Sequence, residues 1–182
     1  MASFSESYKK TLSRLQSVLA EINENEINEM LFQMLSAKRI FFLGLGRSSL
    51  VLKCFAMRLS HMKLPVWVVG ETTVPSANKG DVLVVSSASG ETESTLSVTR
   101  RAHKEGVKVL LFSATRESSI SQLASTMVYI PAKDFTNNLY DHGTLFEDTV
   151  FMLCESFVLL LMEKIHITYE TMLSNHANLE YW

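Results

Sequence analysis

The segment "FFLGLGRSSLVLKCF", residues 41–55, gives the first indication of the fold. Its apolar start ends at Gly44, residues 44–49 contain two glycines, one arginine and two serines, and a second apolar segment follows. A short apolar run that ends at glycine is typical of a buried parallel strand, and the segment after it has the pattern of a helix. The start of such a helix presents unpaired backbone amides, so this turn is predicted to suit a phosphate.

The same alternation of strand and helix continues along the chain. The predicted strands are "RIFFLG" (39–44), "LPVWVVG" (64–70), "DVLVVSSAS" (81–89), "VKVLLFSA" (107–114) and "TMVYIPA" (126–132). "SSLVLKCFAMRLSHM" (48–62) and "TESTLSVTRRAHKEG" (92–106) are predicted helices, and "SSISQLAS" (118–125) a short one. This order predicts an α/β fold with a doubly wound, five-stranded parallel sheet flanked by helices.

Helices are also predicted on both sides of this core. Two amphipathic helices precede it, and after a polar loop from Lys133 to Gly143 a long apolar helix runs from Thr144 to about His166, before one last helix. We expect a single domain over residues 1–182, with an N-terminal helical segment at 1–36, the α/β core at 38–132 and C-terminal helices at 143–182.

The composition limits the classes of protein to which the chain can belong. It has 182 residues, is 47% hydrophobic and carries a net charge of -2, which suits one compact domain and gives no reason to expect nucleic acid or an anionic membrane as a partner. The longest apolar run, residues 149–162, is interrupted by Glu155 and is too short to span a bilayer. Without the apolar region of a signal peptide, a cytoplasmic protein is expected. Cys54 and Cys154 are expected to be reduced core thiols, and no cysteine spacing suggests a metal.

A second polar turn, residues 86–92 ("SSASGET"), also follows a strand and precedes a helix. Its hydroxyls can direct several donors at one phosphate, although Ser89 or Thr92 can instead cap the following helix. Two such turns favour a phosphate held from both sides. The candidate binding residues are Gly46, Arg47, Ser48, Ser87, Ser89 and Thr92.

Two alternatives to a phosphate site remain open from the residues alone. A dinucleotide fold requires G-x-G-x-x-G, but Ser49 occupies the third glycine position, while Glu71 stands where a ribose-binding acid is expected. The first turn can also be a tight connection without any ligand.

The turns "GLGRSS" (44–49) and "SSASGETEST" (86–95) resemble those of the sugar isomerase (SIS) domain family, a flavodoxin-like, doubly wound fold that binds phosphosugars. "FAMRLSHM", "VVGETTVP", "GTLFEDT" and "NHANLE" more specifically resemble the 6-phospho-3-hexuloisomerase family. This resemblance implies interconversion of D-arabino-hex-3-ulose 6-phosphate and fructose 6-phosphate through an enediolate, without a metal or redox cofactor. It also implies a tetramer.

Such a reaction needs a base and a polar partner, and the sequence offers three candidates. Glu147 is the candidate base, although "TLFE" (144–147) also matches a capping box; the resemblance of "GTLFED" favours the base. His176 and, next, His61 are candidates for polarising the carbonyl or assisting proton transfer, with a structural role as the alternative for each. Arg47 is placed to neutralise phosphate or to close over the sugar, unless it is a solvated first-turn arginine. His142 stays open as a further candidate.

Two other functions remain as alternatives to the isomerase. One is a non-catalytic phosphosugar sensor of the same fold, and the other is a nucleotide-binding module that uses Glu71. The apolar helix after Thr144 needs covering on more than one side, so a homo-oligomer, at least a dimer, is expected. Tyr181 and Trp182 are candidate anchors across its subunit boundary, with an unfixed tail as the alternative.

Overall fold

The fold is centred on a parallel sheet. The computed structural model describes residues 3–135 and 139–179. Within these residues the strands are β1 (Ile40–Leu43), β2 (Val66–Val68), β3 (Val82–Ser86), β4 (Lys108–Ser113) and β5 (Thr126–Tyr129). All neighbouring strands pair in parallel, in the order β2-β1-β3-β4-β5. The predicted doubly wound, five-stranded sheet is confirmed.

Helices occupy the connections and both ends of the described chain. They are α1 (Phe4–Ala20), α2 (Glu24–Leu35), α3 (Gly46–His61), α4 (Glu93–Lys104), α5 (Leu139–Lys164) and α6 (Tyr169–Ser174), with 3-10 turns at Ser121–Leu123 and Ala132–Phe135. Sequence capping signals set some of these ends. Ser3 and Glu6 form a reciprocal capping box at the start of α1.

Alternate residues of each strand face opposite layers, because successive side chains in a strand point to opposite faces of the sheet. In β1, Ile40 and Phe42 pack into the larger core with side chains of α1, α2, α3 and α5. Phe41 and Leu43 pack into the smaller core with Leu96 of α4. The helix after β1 therefore lies on one face of the sheet, and the helix after β3 lies on the other.

An aromatic cluster connects the sheet to α3 and α5. Phe55 of α3 lies 5.5 Å from Phe42 and 6.1 Å from Phe157, centroid to centroid, and Phe157 lies 6.0 Å from Phe112. All three pairs meet edge to face, a geometry that adds roughly 0.5–1.5 kcal/mol per pair to burial. This packing fixes α5 across the sheet and so fixes the position of its first turns.

Two predicted helix boundaries are wrong. The long helix begins at Leu139, not at Thr144, so the end of the predicted polar loop is helical. Gly143 costs only about 1 kcal/mol inside a helix, which the packing of α5 outweighs. The predicted helix at 118–125 is only a 3-10 turn, because the hydroxyls of Ser118 and Ser121 bond each other's backbone amides.

The outer faces of α3 and α5 expose large apolar side chains in the single chain. They are Leu50 and Met57 of α3 and Phe151, Met152, Leu159 and Leu160 of α5. Cys54 lies on this same side of α3 and is exposed, so only Cys154 is the buried thiol that was expected. Across the described residues, no helix combines the length and apolar content needed to cross a bilayer. A second copy covering this surface stays a prediction, and Tyr181, Trp182 and the side chain of His142 lie outside the described residues.

Candidate functional site

The two polar turns lie side by side at the carboxyl ends of β1 and β3. These strands are neighbours in the sheet, and the helices that follow them lie on opposite faces. The chain therefore leaves the sheet in two directions and opens a crevice between the turns. In open α/β sheets such a switch point is the usual place for a ligand.

A cleft of about 400 Å³ occupies this crevice. Its lining is dominated by hydroxyl side chains and consists of Leu45, Ser48, Ser86, Ser87, Ala88, Ser89, Thr92, Thr95 and Lys133. A larger groove of about 540 Å³ lies between α4 and residues 74–78, but apolar side chains dominate its lining. The hydroxyl-lined cleft, although smaller, is the one that suits a polar ligand.

The first turn presents the start of α3 to this cleft. Gly46, the first residue of α3, has a φ of +55°, a left-handed conformation that glycine adopts without strain. Leu45 occupies the N-cap position and makes no side-chain capping bond. The helix therefore begins without a side-chain cap at the mouth of the cleft, where its dipole favours an anion.

The second turn keeps hydroxyl protons available. The Ser87 oxygen accepts the amide of Gly90, and the Ser89 oxygen accepts the amide of Glu91, both at 3.2 Å. Because each oxygen accepts, its own O–H remains a donor. Thr92 occupies the N-cap position of α4, but its side chain makes no capping hydrogen bond. Capping of this helix by the hydroxyl of Ser89 or Thr92, the alternative from the sequence, is therefore not observed.

One further hydroxyl of the cleft belongs to the predicted second turn but was not among the candidate binding residues. The oxygen of Ser86 is buried and has no hydrogen-bond partner among the described residues. A buried polar group without a partner is costly, so a ligand that accepts from Ser86 relieves that cost. Its place as the last residue of β3, at the start of the second turn, was the signal available in the sequence.

The segment after β4 holds the second turn in place. The hydroxyl of Thr115 donates to the carbonyl of Ala88 at 3.3 Å, and the amide of Ile120 donates to the carbonyl of Gly90 at 3.1 Å. Gly90 has a φ of +66°, and a Cβ there would overlap the hydroxyl of Ser118. The second turn thus has a fixed conformation before any ligand arrives.

Glu147 lies beside the first turn, in contact with two of the predicted binding residues. The Nε of Arg47 lies 2.8 Å from the Oε2 of Glu147, and Ser48 lies close enough for its backbone N–H and hydroxyl to lower the pKa of the carboxylate. Burial raises the pKa of Glu147 above its ordinary value; Asp148 also raises it, whereas Arg47 and Ser48 lower it. The capping-box alternative is excluded, because Thr144 lies inside α5 and not at its start.

Arg47 points toward α5. Besides Glu147, its guanidinium contacts Asp148 at 2.9 Å and donates to the hydroxyl of Thr144 at 3.2 Å. Two carboxylates therefore balance its charge, and Arg47 is absent from the lining of the cleft. In this structure its position supports Glu147 and not a phosphate.

The two candidate histidines form a separate cluster at the other end of α3. The rings of His61 and His176 lie 4.9 Å apart, and the Nδ2 of Asn175 donates to the carbonyl of His61 at 2.8 Å. Burial, followed by His176 and Arg58, lowers the pKa of His61. His61 follows Ser48 by thirteen helical residues, or about 20 Å at the helical rise. One chain therefore does not bring its histidines to its own cleft.

Glu71 also lies away from the cleft. Its carboxylate is exposed and lies 3.7 Å from the Nζ of Lys53, in a different groove beside β2. This position counts against the nucleotide-binding alternative, which needs Glu71 to reach a ligand held by the first turn.

Lys133 is a residue of the cleft that sequence reasoning missed. It lies in the 3-10 turn after β5 and lines the cleft together with the serines. The signal in the sequence was its place as the first charged residue after the last strand. Its hydrogen-bond partner, Thr115, lies in the segment after β4. The position of Lys133 in the cleft therefore depends on the pairing of β4 with β5.

The chain is similar to known proteins over nearly its whole length. The family model described as the SIS domain matches residues 33–152. A Bacillus subtilis protein named 3-hexulose-6-phosphate isomerase is 37% identical, with 93% of this chain and 95% of the relative covered. A Mycobacterium gastri protein of the same name is 34% identical, with 88% and 83% covered.

A solved structure agrees with these sequence relatives. The crystal structure of a Methanococcus jannaschii protein, described as inferring a function of 3-hexulose-6-phosphate isomerase, superposes with a TM-score of 0.80 at 28% identity. It covers 94% of this chain and 96% of its own. On the fold, the site and these relatives together, the chain belongs to the SIS domain family.

Proposed function

We propose that this chain is a phosphosugar isomerase that interconverts D-arabino-hex-3-ulose 6-phosphate and fructose 6-phosphate. The observation that carries the proposal is the position of Ser48, which lines the hydroxyl-rich cleft and also lies beside the carboxylate of Glu147. An anion site and an ionisable carboxylate thus share one residue. The relatives named 3-hexulose-6-phosphate isomerase support the choice of substrate.

The phosphoryl group of the sugar binds in the cleft. Ser87, Ser89 and Thr92 direct hydroxyls at it from the second turn, the unpartnered hydroxyl of Ser86 donates from the floor, and the start of α3 contributes its dipole. This placement leaves the sugar carbons toward Glu147, on the side of the cleft where Ser48 lies.

Glu147 then acts as the base of an enediolate mechanism. In the 3-ulose its carboxylate removes the proton from C2, the electrons of that bond form the C2–C3 double bond, and O3 takes up a proton. Return of a proton to C3 and loss of the O2 proton make the carbonyl at C2. The pKa of Glu147 is raised toward the operating pH, which favours both the removal of the proton from C2 and the return of a proton to C3.

The histidines enter this proposal through a second copy of the chain. His61 and His176 lie about 20 Å from the cleft of their own chain, by the rise of α3. The outer faces of α3 and α5 are apolar and exposed, so a second copy that covers them buries this surface and brings foreign side chains near Glu147. In the proposed oligomer, a histidine from one copy assists proton transfer in another.

The decisive experiment is an isomerase assay of the purified full-length protein. Fructose 6-phosphate and D-arabino-hex-3-ulose 6-phosphate are each supplied alone, and formation of the other is followed by chromatography. We expect conversion in both directions to one equilibrium ratio. Binding of fructose 6-phosphate without conversion would instead identify a sensor, and absence of both would reject the proposal.

A further inference from the structure

The charge of the phosphoryl group needs a partner that the two turns do not supply. A sugar phosphate carries nearly two negative charges at pH 7, because its second pKa is about 6. The serines and threonines of the cleft donate hydrogen bonds but are neutral. Among the described residues, Lys133 is the one charged side chain in the lining.

Arg47, the cation expected from the sequence, has its charge balanced elsewhere. Its guanidinium pairs with Glu147 and Asp148 at 2.8 and 2.9 Å. Moving it into the cleft would break both ion pairs and leave the partly buried Glu147 without its cation. Its place at α5 therefore leaves the phosphate role to another residue.

Lys133 is held beside the second turn by a short chain of hydrogen bonds. Its Nζ donates to the hydroxyl of Thr115 at 2.8 Å, and that hydroxyl donates to the carbonyl of Ala88 at 3.3 Å. Ala88 lies between the two serines of the turn. An ammonium has three donors, so two remain for a ligand in the cleft.

We propose that Lys133 neutralises the phosphoryl group of the bound sugar and makes the cleft selective for the phosphorylated form. This inference rests on the proposed function and names the charge partner in that same site. The turns supply geometry, and Lys133 supplies the charge that separates a dianionic phosphate from a monoanion or a free sugar.

The test compares Lys133→Gln with Lys133→Arg in the full-length protein. Calorimetry measures the dissociation constants of fructose 6-phosphate and of inorganic phosphate at low and high salt. Lys133→Gln is expected to weaken both by about tenfold at low salt and by less at high salt, because salt screens a partly exposed pair. Lys133→Arg keeps the charge and is expected to restore most of the affinity.

The pH dependence gives a readout that a merely structural role would not move. Between pH 7.5 and 5.5 the phosphate loses its second charge, so the wild type should lose affinity while Lys133→Gln loses much less. Lys104→Gln, an exposed lysine in the last turn of α4, is the matched control and should bind as the wild type does.

The outcomes separate this inference from the proposed function. Unchanged binding in Lys133→Gln, with binding lost in Ser87→Ala/Ser89→Ala, would overturn the role of Lys133 and leave the isomerase proposal standing. Binding of neither phosphate nor fructose 6-phosphate by the wild type would overturn both. A tenfold loss that Lys133→Arg repairs supports the inference.

Discussion

The two ends of α3 carry polar clusters of different kinds. At its start, Ser48 and Arg47 contact Glu147 beside a cleft lined by hydroxyls. At its end, the rings of His61 and His176 lie tilted against each other, near Arg58, beside a cavity of about 290 Å³. The first cluster combines hydroxyl donors with a carboxylate, whereas the second has two imidazole rings and no hydroxyl-rich turn. The comparison teaches that the polar residues which the proposed mechanism uses are divided between the two ends of one helix, with the carboxylate beside the cleft and the imidazoles far from it.

The largest effect should come from the carboxylate at the start of α3. In Glu147→Gln the amide keeps the shape and can accept from Ser48, but it cannot take a proton. Turnover of fructose 6-phosphate at saturation is expected to fall about 10³-fold, the usual size of a general-base effect. Calorimetry should give a dissociation constant close to that of the wild type. Glu163→Gln, on the exposed last turns of the same helix, is the control, and normal turnover in Glu147→Gln would remove this residue from the mechanism.

The next largest effect is expected from the loss of phosphate binding by the second turn. Ser87→Ala/Ser89→Ala loses two hydrogen bonds to a charged group, each of which contributes about 1.5 kcal/mol or more. We expect kcat/KM to fall about 100-fold, mainly through KM, because the phosphate is held equally in the ground and transition states. Ser97→Ala, on α4 outside the cleft, serves for comparison. If steady-state kinetics show an unchanged KM, the phosphate lies elsewhere.

A smaller effect is expected at the histidine end. His61→Asn/His176→Asn should lower kcat by roughly tenfold, below a full general-base effect, because these groups assist and Glu147 abstracts. The sharper measurement mixes this variant with Glu147→Gln after mild dissociation and reassociation. If the two ends combine across copies, the mixture is more active than the mean of its components. Activity equal to that mean would confine each site to one chain.

The smallest effect concerns the ion pair of Arg47. In the proposed mechanism Glu147 acts as the ionised carboxylate, so activity should be lost as the pH falls through its pKa, which Arg47 lowers. Arg47→Gln removes that influence, so the acidic limb of kcat/KM should move to higher pH, by an amount that solvent screening of the exposed guanidinium keeps small. A pH–rate profile measures the limb, with Arg101→Gln as the control. A limb that stays or moves down would mean that the pair does not tune the base.

The sheet was predictable because its signal is local. β1 and β3 are buried on both faces and therefore appear in the sequence as continuous apolar runs that end at polar turns. The turns of the cleft follow directly from those strands, so Ser87 and Ser89 were found with them. The start of α5 was missed because Gly143 and its polar neighbours have the composition of a loop, whereas the helix continues through them.

The rest of the site depends on contacts between distant parts of the chain. The sequence around Arg47 predicts a phosphate ligand, yet the partners of Arg47 in the structure, Glu147 and Asp148, lie about a hundred residues later in the chain. Lys133 reaches the cleft only because β5 lies beside β4, which brings its turn next to Thr115. Neither the ion pairs of Arg47 nor the position of Lys133 at the cleft can be predicted from the neighbouring sequence.

The close approach of Gly90 to Ser118 has a consequence for how this protein can change. A side chain at position 90 would adopt a strained backbone conformation and collide with the hydroxyl of Ser118, which is itself buried. Substitutions in the connection after β3 and in the connection after β4 are therefore coupled, because the two connections contact each other at these residues. A substitution that enlarges either residue reshapes the other connection, so the ligand preference of the second turn can be altered from a residue that never touches the ligand.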